Sequence, residues 1–221
     1  MSTAMLPVLH DSLASLLEFK PPVPIMLNQA ELTFTPNQPP QQKIAQQQLG
    51  WRSESKNGLY VLQTRLDGFF FSRLFPYTTW EEFVSEGRTA ARSLERIYTG
   101  AELKAVVVRY INELGLPVLE RLEEYVKFYV FLPPELPQYM NTMFSRVELQ
   151  DSPQSDTTVI VNSGFLPPVS TTEVRLLLDI EIKRNLRRGR QEIWEDIESL
   201  RDMKNGIFFS CLTDKMETKL R

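Results

Sequence analysis

Between Glu102 and Leu116 the chain runs Glu-Leu-Lys-Ala-Val-Val-Val-Arg-Tyr-Ile-Asn-Glu-Leu-Gly-Leu, and this stretch limits the fold more than any other. Consecutive β-branched residues lose side-chain freedom in a helix and pack well on a pleated surface, so the spacing predicts a strand. Its core is too apolar for an edge, which predicts a central, buried position. Arg109, Tyr110, Ile111 and Asn112 then deliver polar groups from a strand expected to be buried, and they form the first candidate site.

The flanking segments predict more sheet. Alternation over residues 25–34 reads as a strand, with Ala30, Leu32 and Phe34 on one face. Residues 36–48 carry three prolines and six glutamines, bury almost nothing, and read as a surface loop. Trp51 to Ser55, Asn57-Gly58, and Leu59 to Leu66 form a hairpin pattern in which Asn-Gly would supply a type I′ turn. Asp67-Gly68 before Phe69, Phe70 and Phe71 adds a third strand.

Two helices at the surface of this sheet follow from spacing. Thr79 is placed to cap a helix, with Glu82 three residues on to close a capping box. Trp80, Phe83, Val84, Ala90, Ala91, Leu94 and Ile97 give that helix an apolar stripe that ends near Thr99-Gly100. A second, long helix is predicted from about Gln191 to Leu220, with Ile193, Ile197, Leu200, Ile207, Phe208 and Cys211 on one side and Trp194 beside them. Residues 8–19 have the spacing of a short amphipathic helix stopped by Pro21, Pro22 and Pro24.

Three more strands are predicted at 144–150, 157–162 and 174–184. The last alternates, with Leu176, Leu178, Ile180 and Ile182 on the core face and Leu177, Asp179, Glu181 and Lys183 on the other. The expected class is α+β: antiparallel sheets with helices packed on one face, in a degenerate two-fold repeat of strands followed by a helix. A chain of 221 residues with 42% hydrophobic content suits one compact domain, with halves 20–116 and 140–221 joined by the Pro-rich connector 132–137.

Chemistry narrows by elimination. His10 is the only histidine and Cys211 the only cysteine, so a histidine-based triad, a disulfide framework and a multi-cysteine metal site lack their residues. Cys211 sits on an apolar stripe and reads first as a small hydrophobe rather than a nucleophile. Neither glycine-rich nucleotide cradle is written in the chain. No cofactor is expected. Asp179 and Glu181 share a strand face and could hold a divalent cation, but pairing with Arg109 or Lys183 is the more common outcome. Arg109 needs a carboxylate, a carbonyl or a bound anion; Asp67 and Asp179 are the candidate partners.

With 25 basic against 28 acidic residues, the net charge of -3 gives no global attraction to nucleic acid or anionic membrane. Locally, Lys183, Arg184, Arg187, Arg188 and Arg190 crowd the turn after the last strand and could meet phosphates. No window is apolar and long enough for a membrane helix, and no leader pattern opens the chain, so a cytoplasmic location is expected.

Several segments together carry a resemblance: Pro21-Pro22-Val23, Gly50-Trp51, Leu74 through Phe83, Arg109 to Asn112, Leu178 to Glu181, Leu200 through Phe209, and Leu212-Thr213-Asp214. The chain resembles a sporadically distributed bacterial and archaeal family of uncharacterised proteins, in nearly its whole length from residue 20. The resemblance implies a cytoplasmic accessory protein, of the kind found in mobile or defence loci, and implies no activity. The Gln/Pro-rich stretch at 36–48 and the arginine-rich final loop depart from the family pattern. The expectation is a non-enzymatic protein acting through protein–protein contact, with a protein partner or its own copies, using Arg109, Tyr110, Asn112, Asp179, Tyr77 and Trp80. The alternative is a nucleic-acid-binding or processing subunit using residues 183–190 and Arg109.

Overall fold

The computed structural model of the protein describes residues 11, 18–33, 41–65, 67–97, 102–118, 121–186 and 193–220, with the backbone alone at 32, 33 and 93–97. The short helix expected at 8–19 falls almost wholly outside them, as does the Thr99-Gly100 stop. The chain divides into two compact units, Met1–Ala101 and Glu102–Arg221. The Pro-rich segment 132–137 lies inside the second unit. The division falls earlier because the strand after residue 102 pairs with the last strand of the chain.

The first unit is a four-stranded antiparallel meander in the order β1-β2-β3-β4: β1 Val23–Thr33, β2 Gln41–Glu54, β3 Tyr60–Arg65 and β4 Gly68–Arg73. Helix α1, Trp80–Ile97, follows. Thr79 caps it as expected, its Oγ1 accepting from the Glu82 backbone N–H at 3.2 Å. The Glu82 carboxylate accepts the Thr78 hydroxyl, so the second arm of the expected capping box is taken by the neighbouring threonine. Tyr60, Phe71 and Phe83 stack in series, with centroids 5.3 and 5.6 Å apart, and join Phe19, Leu62 and Ala90 in the unit's core.

Two expectations in this unit are corrected. Residues 41–48 are strand, not loop: they pair with Met26 to Thr33 residue for residue after a bulge at Ile25/Met26. The segment does leave its side chains in solvent, but its backbone groups are satisfied by β1, and that is sufficient for an exposed ribbon. The hairpin between β2 and β3 also differs from type I′. Gly58 alone takes a positive φ, 73°, and its N–H closes a turn onto Ser55 O at 2.9 Å. Asn57 instead accepts the Ser55 hydroxyl and the Leu59 N–H on its side-chain oxygen, so no positive φ is required of it.

The second unit is an antiparallel sheet in the order β5-β8-β7-β6, from β5 Ala105–Pro117, β6 Phe144–Leu149, β7 Thr157–Phe165 and β8 Glu173–Asn185. Helix α2, Ile193–Ser210, packs on its inner face against β5 and β8. The core is built from alternate strand residues, Val106, Val108, Leu114 and Leu116 on β5 and Leu176, Leu178, Ile180 and Ile182 on β8, closed by Leu200. The α+β class and antiparallel sheets are therefore as expected. Strand number and a following helix recur in both units; connectivity does not, since the first strand of the second unit lies next to its last.

β5 itself is an edge strand, against expectation. Only its even-numbered side is buried; Val107, Arg109, Ile111 and Glu113 are exposed. The continuous apolar run misleads because edge residues with an open outer face can still be β-branched without any second neighbour. The long final helix is also interrupted. After α2, residues 211–213 turn into a bridge with Tyr125, Val126 and Lys127, through Lys127 N–H to Cys211 O at 2.8 Å and Thr213 N–H to Tyr125 O at 3.0 Å. Thr213 then caps a short helix α3, Asp214–Lys219.

Candidate functional site

On a strand, neighbouring side chains point to opposite faces, and this separates the residues that the sequence grouped together. Arg109 and Asp179 lie on the outer face of the second sheet. Tyr110 and Asn112 lie on the inner side, where Asn112 Nδ2 donates to Leu178 O at 3.0 Å and the Tyr110 ring faces α2. Tyr77 and Trp80 belong to the first unit. Tyr77 is partly exposed beside Phe75, whereas Trp80 is buried against Phe83, 5.9 Å between centroids, and offers no surface to a partner.

The outer face carries an ordered polar ladder across all four strands. Arg109 grips Asp179 with two parallel bonds, Nε to Oδ1 and Nη2 to Oδ2, both 2.8 Å. Asn162 on β7 donates to Asp179 Oδ2 at 3.0 Å, and Arg146 on β6 donates to Asn162 Oδ1 at 3.1 Å. Glu181 sits 3.8 Å from Arg109 Nε. The Asp179 side chain is 5% exposed and the Arg109 side chain 49%, so a buried carboxylate holds a guanidinium whose outer edge meets solvent. That contact raises the arginine pKa further above its ordinary value, through the hydrogen bonds to Asp179 first, against a smaller opposing effect of burial. Asp179 and Glu181 thus embrace a cation supplied by the chain, and among the described residues no group of three or more His, Cys, Asp or Glu is placed to hold a metal ion.

Apolar residues flank the ladder. Val107, Ile111 and Phe144 are 44%, 66% and 69% exposed, and Ile160 and Leu177 are half-buried between them. Phe144 lies over Gly164, where an added Cβ would come within 3.2 Å of its ring. The nearer obstacle to that Cβ is backbone, Met143 O at 2.9 Å, so glycine at 164 is what permits the close approach of β6 to β7 here.

The basic cluster is dispersed where it is described. Lys183 is exposed on the outer face. Arg184 points inward, donating to Asp196 Oδ1 at 2.9 Å and Thr157 Oγ1 at 3.0 Å. Arg187, Arg188 and Arg190 lie outside the described residues. Cys211 is buried, and burial pushes its thiol pKa up, away from thiolate chemistry. It lines an open, mostly apolar groove of about 460 Å³ together with Leu149, Val161, Met203 and Ile207.

Two buried charges on α2 escaped the sequence reading: Asp196, which Arg184 pairs, and Lys204. Lys204 on α2 is 6% exposed, its Nζ lies 3.6 Å above the Tyr110 ring centroid, and burial, assisted by Arg201, lowers its pKa to about 8. The signal was available: Lys204 follows Leu200 by four residues on the apolar stripe of the helix.

No helix among the described residues is long and apolar enough to cross a membrane. Comparisons with protein-family models, with curated proteins and with solved structures give no match to this chain.

Proposed function

We propose that the protein is a non-enzymatic binding protein that recognises another protein through the outer face of the β5-β8-β7-β6 sheet. The observation that carries this is the fixed, half-exposed guanidinium of Arg109 between exposed Val107 and Ile111 on β5, with exposed Phe144 on the same face beside Arg146 at the opposite edge, β6. Aromatic and arginine side chains anchored by their own neighbours are the usual energetic centres of protein interfaces, because little freedom is lost when the partner arrives. Nη1 of Arg109 lies outside the fork to Asp179, so the guanidinium retains donors for a partner carbonyl or carboxylate.

The face mixes Arg109, Arg146 and Lys183 with Glu113, Glu148 and Glu181, a balance that suits a protein surface better than a polyanion. Arg184 is already matched by Asp196 and adds no support to a nucleic-acid reading. The open Nη1 of Arg109 would serve a phosphate as well as a carboxylate, and the exposed apolar flank of Val107 and Ile111 is what favours a protein.

The test is recovery of a partner from cells of the native host. The tagged protein should retain a defined protein that Phe144→Asp fails to retain, while the two have the same melting temperature. Retention of the same proteins by both, or of none above an unrelated bait, would overturn the reading. A salt-dependent shift of labelled RNA or DNA by the wild-type chain, unaffected by Phe144→Asp, would favour the nucleic-acid alternative.

A further inference from the structure

Natural sheets protect an exposed edge by keeping it short, by interrupting it with a bulge or proline, or by placing charges along it. The β5 edge is long, thirteen residues from Ala105 to Pro117, and its pairing with β8 runs through all thirteen without a register shift. Among the described residues its only strand neighbour is β8. Its two charged residues, Arg109 and Glu113, are each tied back to β8, to Asp179 and Arg175. They are not free to guard the edge.

The backbone parity of this edge can be read from its ends. Lys104 O accepts the Leu186 N–H at 2.8 Å, and Val118 N–H reaches Thr172 O at 3.2 Å, so even-numbered residues bond toward β8. The odd-numbered residues 107, 109, 111, 113 and 115 therefore direct their N–H and C=O groups outward. Gly115 O agrees with this, since it accepts from Lys219 Nζ at 2.6 Å rather than from β8.

We propose that this edge pairs antiparallel with β5 of a second copy of the chain, about a two-fold axis at Ile111. Ile111 is the midpoint of the strand, so this register uses its whole length. It sets Ile111 against Ile111, Arg109 against Glu113 and Val107 against Gly115 on the outer face. On the inner face it sets Val106 against Leu116, Val108 against Leu114 and Tyr110 against Asn112. Every outward odd residue then meets another outward odd residue, giving five pairs that each exchange two N–H···O bonds. Pro117, which has no N–H to offer, falls at the end of the ladder.

Charge selects this register over its neighbours. Asp179 and Arg109 of one copy continue into Glu113 and Arg175 of the other, an alternating series of four charges that occurs twice by symmetry. Shifting the axis by one residue in either direction keeps the backbone parity but separates Arg109 from Glu113. The Lys219 contacts to Gly115 must be released, and both are exposed on the surface. The result is one continuous eight-stranded sheet. The in-plane edge is separate from the sheet face that recognises another protein, and its pairing is read from the mass of the chain rather than from capture of a partner.

The experiment is sedimentation of the full chain with paired charge variants at the axis. Ile111 is 66% exposed, so Ile111→Lys and Ile111→Glu leave the core intact. The wild type should sediment as a dimer. Each variant alone should self-associate about tenfold or more weakly, because like charges then face each other across the axis. An equimolar mixture of the two should recover the dimer. A monomeric wild type at high micromolar concentration would overturn the proposal, as would variants that remain dimeric or a mixture that fails to recover.

Discussion

At Arg109 the important quantity is the asymmetry of the pair. Asp179 is buried and depends on Arg109 and Asn162 for its counter-donors, whereas Arg109 is half in water. Removing the arginine strands a buried carboxylate; removing the carboxylate charge leaves a guanidinium that water can solvate. Arg109→Met is expected to lower stability by about 1–3 kcal/mol, discounted for the exposed partner, and Asp179→Asn by less, both read from urea denaturation. Equal losses would mean that the ladder does not distinguish its two ends. Asp179 was legible only as one of two candidate partners; the other, Asp67, lies in the first unit beside Arg65. Exposure of Arg109 was not legible, because edge position depends on which strand lies alongside. Lys204 gives a second residue-scale prediction. Its folded pKa of about 8 lies below the ordinary lysine value of 10.5, so unfolding takes up a proton between those two values. Wild-type stability should therefore rise through that window, with the full penalty in force below pH 8. Lys204→Met, which retains the packed stem, should raise stability at pH 7 by about 1–3 kcal/mol and flatten the rise. Unchanged pH dependence in the variant would show that the ammonium is not the group responsible.

Elements were legible where a pattern is local. Leu176, Leu178, Ile180 and Ile182 announced β8 by alternation, and Thr79 announced α1 by its cap. The errors came where partners decide. Gln41 to Gln48 has no apolar alternation, yet β1 satisfies its backbone. Cys211 and Leu212 continue the helical stripe of α2, yet Val126 and Thr213 turn them into a bridge and a new cap. The β2–β3 pairing rests on a close approach at Gly50, where an added Cβ would lie 2.1 Å from Thr64 O. Because the obstacle is backbone, no side-chain rotation relieves it. Gly50→Ala should cost about 2–4 kcal/mol and speed amide exchange across β2 and β3, measured by urea denaturation and hydrogen exchange. A loss under half a kcal/mol would mean that the ribbon shifts register easily.

At the scale of the whole chain, the position of β5 decides what can fold alone. The larger core runs from Val106 to Met216 and takes all its buried residues from the second unit, while the smaller one, from Phe19 to Ala90, takes all of its from the first. The hydrophobic pattern suggested instead that β5 closes an N-terminal half ending at residue 116, because a sequence read in order assigns a strand to what precedes it. Pairing with β8 over thirteen residues reverses that assignment. A fragment of residues 102–221 keeps the sheet, α2 and the cluster around Leu176, Ile180, Ile182 and Leu200, and it should unfold in a single cooperative transition by circular dichroism. A fragment of residues 117–221 loses Val106, Val108, Leu114 and Leu116 and uncovers one side of β8. It should lack a cooperative transition, since several buried side chains at about 2 kcal/mol each exceed the margin of a domain this size. Cooperative unfolding of the shorter fragment, or none in the longer, would place the boundary elsewhere.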